Sequence, residues 1–168
     1  MKRYFNYTNH TREVLQKPAK VTFEGTDYIS FTNSWSLALT TENPGEIELF
    51  EGKYPDVTRL LRFDGVKKKL DYRDVIAEAK SKGYKRTKKE VGPGFRYLMH
   101  YDGTYYKIGL IDITFSIIDN GEIPITYHPD GERMPLTIKN EIGLCMIMPV
   151  FLHDELDDSY VVIEVNVY

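Results

Sequence analysis

The chain has 168 residues, of which 42% are hydrophobic and 28% charged, and its formal net charge is -3. This composition is typical of a folded globular protein and excludes a disordered chain, and the length favours a single domain over residues 1–168. One cysteine excludes an intrachain disulfide, and no apolar stretch approaches the ~20 residues of a membrane span, so we expect a cytoplasmic protein with no membrane partner.

The first quarter of the chain predicts a strand, a helix and three strands. KRYFNYT (2–8) is predicted as a strand, and Thr8 or Asn9 can cap a short helix through about Gln16. Gly25 marks a tight turn between the first two of the strands that follow. These strands are KVTFEG (20–25), DYISFTN (27–33) and SLALTT (36–41).

The middle of the chain contains its clearest helix signal. EIELFE (46–51) is typical of a strand, and DYRDVIAEAKSKG (71–83) predicts an amphipathic helix. Asp71 is placed to cap this helix and Gly83 to end it. The following KRTKKEVGPG (85–94) is predicted as an exposed loop.

The second half predicts the same element order again. TYYKIG (104–109) is typical of a strand, LIDITFSIIDN (110–120) of a helix closed by Gly121, and SYVVIEVNV (159–167) of a final strand. Between them lie three more predicted strands, of which the first two are joined by the turn PDGE (129–132). These strands are IPITYH (123–128), MPLTIK (134–139) and GLCMIMPV (143–150).

The repeated order predicts an α+β fold of two β-α-β-β-β repeats, with mostly antiparallel sheets and helices on one side. Repeat one covers about 1–42 and repeat two about 104–152. A connecting strand and basic helix occupy about 46–101, and an extra C-terminal strand about 159–167.

Charge is segregated along the chain. Residues 59–89 contain twelve Lys or Arg and four Asp or Glu, which leaves ten cationic and twenty-one acidic residues elsewhere. This basic segment is either a solvated helix face and loop or a surface for non-specific phosphate contacts. The candidate DNA-binding residues are Lys67, Lys68, Lys69, Arg73, Lys80 and Lys82.

Catalysis finds little support in the residues. The four histidines are scattered without metal-ligand spacing, and the acidic run 154–158 lacks the pattern of a calcium loop. Cys145 lies in an apolar run, which is typical of a small core residue. We therefore expect no enzyme activity, no metal and no cofactor.

Met148-Pro149 interrupts the longest apolar run of the second half. Proline removes a ladder donor and is rare in central strands, so the run indicates either a core strand near a sheet edge or the wall of a pocket.

Three separated segments resemble the bacterial sliding clamp, the β subunit of DNA polymerase III. TNSWSLAL (32–39) stands where that family has a threonine-aspartate-glycine-histidine-arginine-leucine-alanine turn and strand. GKYPDVTRLL (52–61) resembles the family's glycine-x-phenylalanine-proline-aspartate segment, and CMIMPVFL (145–152) resembles its C-terminal methionine-proline-methionine-arginine-leucine. The resemblance implies a DNA-clamp-like fold in a shortened chain.

In that family the three segments form one hydrophobic pocket that holds short linear peptides of replication and repair proteins. The resemblance therefore implies a peptide-binding groove with such peptides as partners. Carried over by position, its residues are Thr32, Trp35, Ser36, Leu37, Pro55, Arg59, Leu60, Met146, Ile147, Met148, Pro149 and Val150. Trp35, Ser36 and Phe151 depart from the family's histidine, arginine and arginine, so we expect a different peptide preference.

Two other functions remain open at the level of sequence. Sliding clamps line their channel with basic helices, so the alternative is an oligomeric processivity or DNA-coating protein. It would contact double-stranded DNA non-specifically through the 71–83 helix, and as a homo-oligomer. The third interpretation is a structural or regulatory scaffold.

Overall fold

The computed structural model describes residues 17–33, 35–42, 47–128, 134–152 and 156–165. The strand and helix predicted within the first sixteen residues and the turn predicted at 129–132 lie outside the described residues. The described strands are β1 (Ala19–Phe23), β2 (Thr26–Thr32), β3 (Ser36–Thr40), β4 (Val66–Lys69), β5 (Tyr97–Tyr101), β6 (Thr104–Lys107), β7 (Ile125–His128), β8 (Leu136–Lys139), β9 (Gly143–Ile147) and β10 (Val161–Val165). The described helices are α1 (Tyr72–Ser81), α2 (Lys88–Val91) and α3 (Ile108–Ile118), with a 3-10 turn at Thr58–Leu60.

Two sheets organise the part of the chain that the structure describes. The large sheet has the order β1-β2-β3-β9-β8-β7-β4, and all its neighbouring strands are antiparallel. The small sheet has the order β10-β5-β6, with β5 and β6 antiparallel and β10 parallel to β5. The predicted α+β class with mostly antiparallel sheets is confirmed.

The helices pack on one face of the large sheet, which we call the helix face. α3 lies against β3 and β9 and contacts both α1 and α2. Nearly every residue of α3 is buried, which explains why a helix rich in β-branched residues is stable here. Phe31, Ala38, Cys145 and Ile147 point from the sheet into this core.

The opposite face, which we call the outer face, has its own apolar cluster. Leu37, Leu39, Leu144 and Met146 alternate with the residues of the helix face, as the two-residue period of a strand requires. The segment 54–63 covers them, and its Val57 is buried among them. β3 and β9 are therefore buried on both sides, which their continuous apolar sequence reflects.

α1 forms as predicted because its signals are local. The carboxylate of Asp71 accepts a hydrogen bond from the backbone N–H of Arg73 at 3.0 Å and caps the helix. Gly83 follows the last turn with a φ of 103°, a conformation that glycine adopts readily. The hydroxyl groups of Tyr72 and Thr126 lie 2.8 Å apart and tie the helix to β7.

Three predictions for the middle of the chain are wrong. The described part of 46–51 is not a strand; its Phe50 N–H donates to the carbonyl of Pro18 at 2.8 Å, and its Glu48 pairs with Lys17 at 2.7 Å. The predicted loop 85–94 contains α2, whose Glu90 is buried and accepts from the backbone N–H of Arg96 at 3.2 Å. β4 and β5 occupy positions where the sequence predicted no separate strands.

Candidate functional site

The structure brings together the three segments that the sequence singled out. Leu37 of β3 and Met146 of β9 are paired across neighbouring strands, and the backbone N–H of Met148 donates to the carbonyl of Trp35 at 2.9 Å. Val57 packs on Leu37 and Met146 from the covering segment. The three segments therefore share one region at the end of β3 and β9.

Five of the twelve predicted groove residues, however, are buried in contacts with the rest of the chain. Ser36 points to the helix face, where its hydroxyl accepts a hydrogen bond from Thr114 at 2.9 Å. Ile147 is fully buried in the same core, and the hydroxyl of Thr32 donates to the carbonyl of Ser36 at 2.9 Å. Leu37 and Met146 are buried under the covering segment. These five side chains have no open surface, and their contacts are with the rest of the fold.

The residues predicted from the covering segment point outward. Pro55, Arg59 and Leu60 are exposed, whereas Val57 and Leu61 make the contacts with the sheet. The covering segment therefore occupies the place on the outer face where the predicted peptide-binding groove would lie.

Met148-Pro149 marks the place where the chain leaves the large sheet. β9 ends at Ile147, and after Pro149 the backbone N–H of Val150 donates to the carbonyl of Tyr105 in β6 at 2.8 Å. The chain therefore crosses from one sheet to the edge of the other. Proline is tolerated here because its position needs no ladder donor.

A cavity of about 440 Å³ opens at this crossing, and we call it the aromatic cavity. This volume is within the roughly 300–1,000 Å³ of small-ligand pockets. Its lining residues are Trp35, Phe95, Lys107, Leu110, Met148, Pro149, Val150, Phe151, Leu152, Asp157 and Tyr160. Trp35, Met148, Pro149 and Val150 belong to the predicted groove, and the others were not predicted.

Exposed rings give the cavity its binding surface. Trp35 is 57% exposed and Phe151 is 50% exposed, both unusual for large apolar side chains on a folded protein. Phe95 and Tyr160 pack on each other with ring centroids 5.7 Å apart. Trp35 is one of the predicted groove residues, and its ring lines the cavity.

Lys107 is the cationic group of the cavity. Its Nζ lies 4.6 Å from the centroid of Phe95 and 5.5 Å from that of Trp35. It also donates to the carbonyl oxygens of Gly92 at 3.2 Å and Val91 at 3.4 Å. Burial lowers the pKa of Lys107, because removal from water penalises the charged form.

Asp157 is the carboxylate on the cavity wall. Its Oδ1 accepts hydrogen bonds from the hydroxyl and from the backbone N–H of Ser159, the latter at 2.8 Å. These bonds lower the pKa of Asp157, so the group is ionised at neutral pH.

The predicted DNA-binding residues do not share one surface. Lys67 lies opposite Tyr127 and its Nζ is 5.6 Å from that ring, on the outer face. Lys68 lies opposite Thr126 in β7. The hydroxyl of Thr126 is 2.8 Å from that of Tyr72 in α1, so Lys68 points to the helix face. Side chains alternate along a strand, and Lys69 therefore shares the outer face with Lys67.

The cations of α1 are accompanied by acids. Nε of Arg73 lies 3.0 Å from Asp71, and Nζ of Lys82 lies 3.5 Å from Glu78. Lys80 is exposed, but Asp74 and Glu78 are exposed on the same helix. The helix carries balanced charge, which corrects its description as a basic helix.

Cys145 and the described histidines, His100 and His128, do not line the aromatic cavity. Among the described residues, no three His, Cys, Asp or Glu side chains are placed to hold a metal ion. Cys145 is fully buried, and burial raises the pKa of its thiol, which fits a core residue. His100 pairs with Glu164 at 2.8 Å, at a distance from the cavity lining.

No helix among the described residues is long and apolar enough to cross a membrane.

Comparison with known proteins supports the fold. No family model and no curated protein sequence matches the chain. The crystal structure of the DNA polymerase sliding clamp from Bacillus subtilis is similar, with a TM-score of 0.55 and 11% sequence identity. The likeness covers 90% of this chain and 61% of that one. The protein therefore has a clamp-like fold, in a chain that spans under two thirds of the clamp's length.

Proposed function

We propose that the protein is a clamp-like binding module whose aromatic cavity takes a short apolar peptide from a partner protein, and that it makes or breaks no bond. The observation that carries the proposal is the cavity itself, formed where the clamp-like segments 32–39 and 145–152 meet. By analogy with the sliding clamp, the partner is a replication or repair protein.

The chemistry of the cavity suits an apolar peptide. Trp35 and Phe151 offer large, rigid rings, which lose little conformational entropy on binding. Met148 is flexible and polarizable, so it can adapt to differing apolar side chains. The proposed groove therefore lies at the cavity and not on the outer face, where Leu37 and Met146 are already covered.

Binding can be measured by fluorescence anisotropy of a labelled clamp-binding peptide. We expect a Kd of about 1–100 μM, which corresponds to roughly -8 to -5 kcal/mol. Failure to bind at about 100 μM would remove the proposal for this class of peptide. The chain has a single tryptophan, so the emission of Trp35 gives a second, label-free signal.

Two matched variants locate the site. Phe151→Ala removes an exposed ring from the cavity, and Leu60→Ala removes an equally exposed side chain from the covering segment. We expect Phe151→Ala to weaken binding about ten-fold, because an anchor side chain typically contributes more than 1 kcal/mol. We expect less than a two-fold change for Leu60→Ala. The reverse pattern would move the site to the outer face.

Methyl NMR gives an independent test of where the peptide binds. Met148 lines the cavity, whereas Met99 is fully buried in the helix-face core. Peptide addition is expected to shift the methyl signal of Met148 and leave that of Met99 in place.

A further inference from the structure

We propose that the aromatic cavity selects peptides that carry one Asp or Glu side chain among apolar residues, with the peptide carboxylate bound to Nζ of Lys107. This inference rests on the proposed function and specifies the chemistry of the peptide.

The first argument is that no described carboxylate pairs with the positive charge of Lys107. Among the described residues, the ion pairs do not include Lys107, whose polar contacts are the carbonyl oxygens of Val91 and Gly92. A half-buried ammonium group without a carboxylate is costly, and its lowered pKa reflects that cost. A ligand carboxylate would supply the missing opposite charge, through a charge-assisted hydrogen bond in a poorly hydrated site.

The second argument concerns the source of the carboxylate. Chain-terminal carboxylates are commonly captured by clusters of backbone N–H groups. On the wall formed by residues 148–150, the N–H of Met148 donates to Trp35 and that of Val150 to Tyr105, and Pro149 has none. The wall therefore offers no such cluster, which favours a side-chain carboxylate held by Lys107 alone.

The third argument is the distribution of the other groups. The Lys107 ammonium group lies 5.5 Å from the centroid of the Trp35 ring and 4.6 Å from that of Phe95, so apolar ring surface adjoins the charge. Asp157 also lines the cavity and places a negative charge there. A second acidic residue in the peptide would meet this carboxylate, so the cavity favours a single acid and apolar neighbours.

The test uses three pools of hexapeptides with acetylated and amidated ends, randomised over Leu, Ile, Met and Phe except for one position. That position is Asp in the first pool, Asn in the second and Lys in the third. The wild-type protein is immobilised and the retained peptides are quantified by mass spectrometry. We expect the Asp pool to be retained about ten-fold better than the Asn pool, and the Lys pool least.

Two variants assign the preference to Lys107. Lys107→Met keeps an unbranched side chain of similar length and removes the charge, so the preference for Asp should disappear. Lys139→Met is the matched control, because Nζ of Lys139 lies 5.5 Å from the ring of Phe63 on the outer face. It should keep the preference. Circular dichroism and the urea unfolding midpoint check that each variant is folded.

The outcomes separate this inference from the proposed function. Equal retention of the Asp and Asn pools overturns the role of Lys107 but leaves peptide binding in place. An Asp preference that survives in Lys107→Met also overturns it. Retention of none of the pools by the wild-type protein contradicts the proposed function and this inference together.

Discussion

At the scale of single residues, Asp112 holds the most consequential polar network of the described chain. Its carboxylate, almost buried on α3, accepts from the hydroxyl of Tyr84 at 2.9 Å and from Arg86 at 2.9 and 2.7 Å. Arg86 belongs to the basic segment, but its charge is neutralised here. The network ties the chain after α1 to the central helix.

Loss of this carboxylate should destabilise the fold. In Asp112→Ala, Arg86 and Tyr84 lose their acceptor, and Arg86 is only 37% exposed in its side chain. We expect a loss of about 2–3 kcal/mol in the free energy of unfolding, as for hydrogen bonds to charged groups. Urea denaturation measures it. The exposed Glu141 gives a control, since Glu141→Ala should change stability by no more than about 0.5 kcal/mol. Equal effects of the two variants would contradict the structural role of Asp112.

The buried tyrosines predict a loss of stability in alkali. Burial raises the pKa of Tyr72, Tyr84 and Tyr106 above the ordinary value near 10. The unfolded chain then releases these protons at lower pH than the folded chain, so the stabilisation is complete below about pH 10 and falls as pH rises further. Lys107 acts in the opposite direction, since its pKa is lowered, but burial also raises the pKa of Tyr54 and Tyr101, so five tyrosines oppose this one group.

Urea midpoints at pH 8, 9.5 and 10.5 check this prediction. We expect a small fall at pH 9.5, where the buried thiol of Cys145 already contributes, and a marked fall at pH 10.5. The fall at pH 10.5 should be smaller in Tyr106→Phe, which has one fewer proton to release. A midpoint that stays constant across this range would mean that the tyrosines titrate in the folded protein as they do in water.

At the scale of elements, α3 depends on a close approach at its first turn. A Cβ on Gly109 would lie 2.5 Å from the backbone carbonyl oxygen of Glu90, in α2. Gly109→Ala gains about 1 kcal/mol of helix propensity, but α2 must move to relieve the overlap. We expect a net destabilisation of about 1–2 kcal/mol by thermal or urea denaturation. Ser116→Ala, later in the same helix, is the control and should stay within about 0.5 kcal/mol.

Gly109→Ala should also change the aromatic cavity. Val91 and Gly92, at the end of α2, provide the carbonyl oxygens that bind Lys107. A displacement of α2 therefore disturbs the ammonium group, and the emission of Trp35 should change in Gly109→Ala and not in Ser116→Ala. An unchanged emission spectrum would show that α2 accommodates the methyl group without moving.

Helices and strands were predictable from the sequence where the residues that specify them lie within the element or next to it. The cap at Asp71 and the terminating Gly83 predict α1 almost to the residue. β5 was missed because four of its five residues are buried, so it lacks the alternation of a half-buried strand. EIELFE has that alternation in part, but its described residues 47–51 pair with no described strand.

The site was predictable only in part, for a related reason. Trp35 and Met148 belong to segments that resemble a known pattern, and β3 and β9 bring those segments together. Lys107 is placed beside β5 by the antiparallel pairing of β5 and β6, and Phe95 and Tyr160 come from parts of the chain that meet through the parallel pairing of β5 and β10. Nothing local in the sequence indicates that pairing.

At the scale of the whole molecule, the distribution of charge argues against a DNA-coating role for the basic segment. Lys67 and Lys69 lie on the outer face, and α1 lies on the other side of the sheet with its cations balanced by acids. A duplex can contact one side at a time, so the six predicted residues cannot act together on one copy of the chain.

Salt dependence of DNA binding tests this conclusion. Six phosphate contacts would give a slope of about -5 in a plot of log K against log salt concentration. With the cations divided between two faces, we expect a slope no steeper than about -3 for a labelled 20-base-pair duplex, and weak binding near 150 mM salt. The double variant Lys67→Gln, Lys69→Gln and the double variant Lys80→Gln, Lys82→Gln remove equal charge from the two sides. We expect at most one of them to reduce the slope. If both reduce it, and the wild-type slope is near -5, the chain must present both faces to DNA, which one copy of this fold cannot do and an assembly of several copies can.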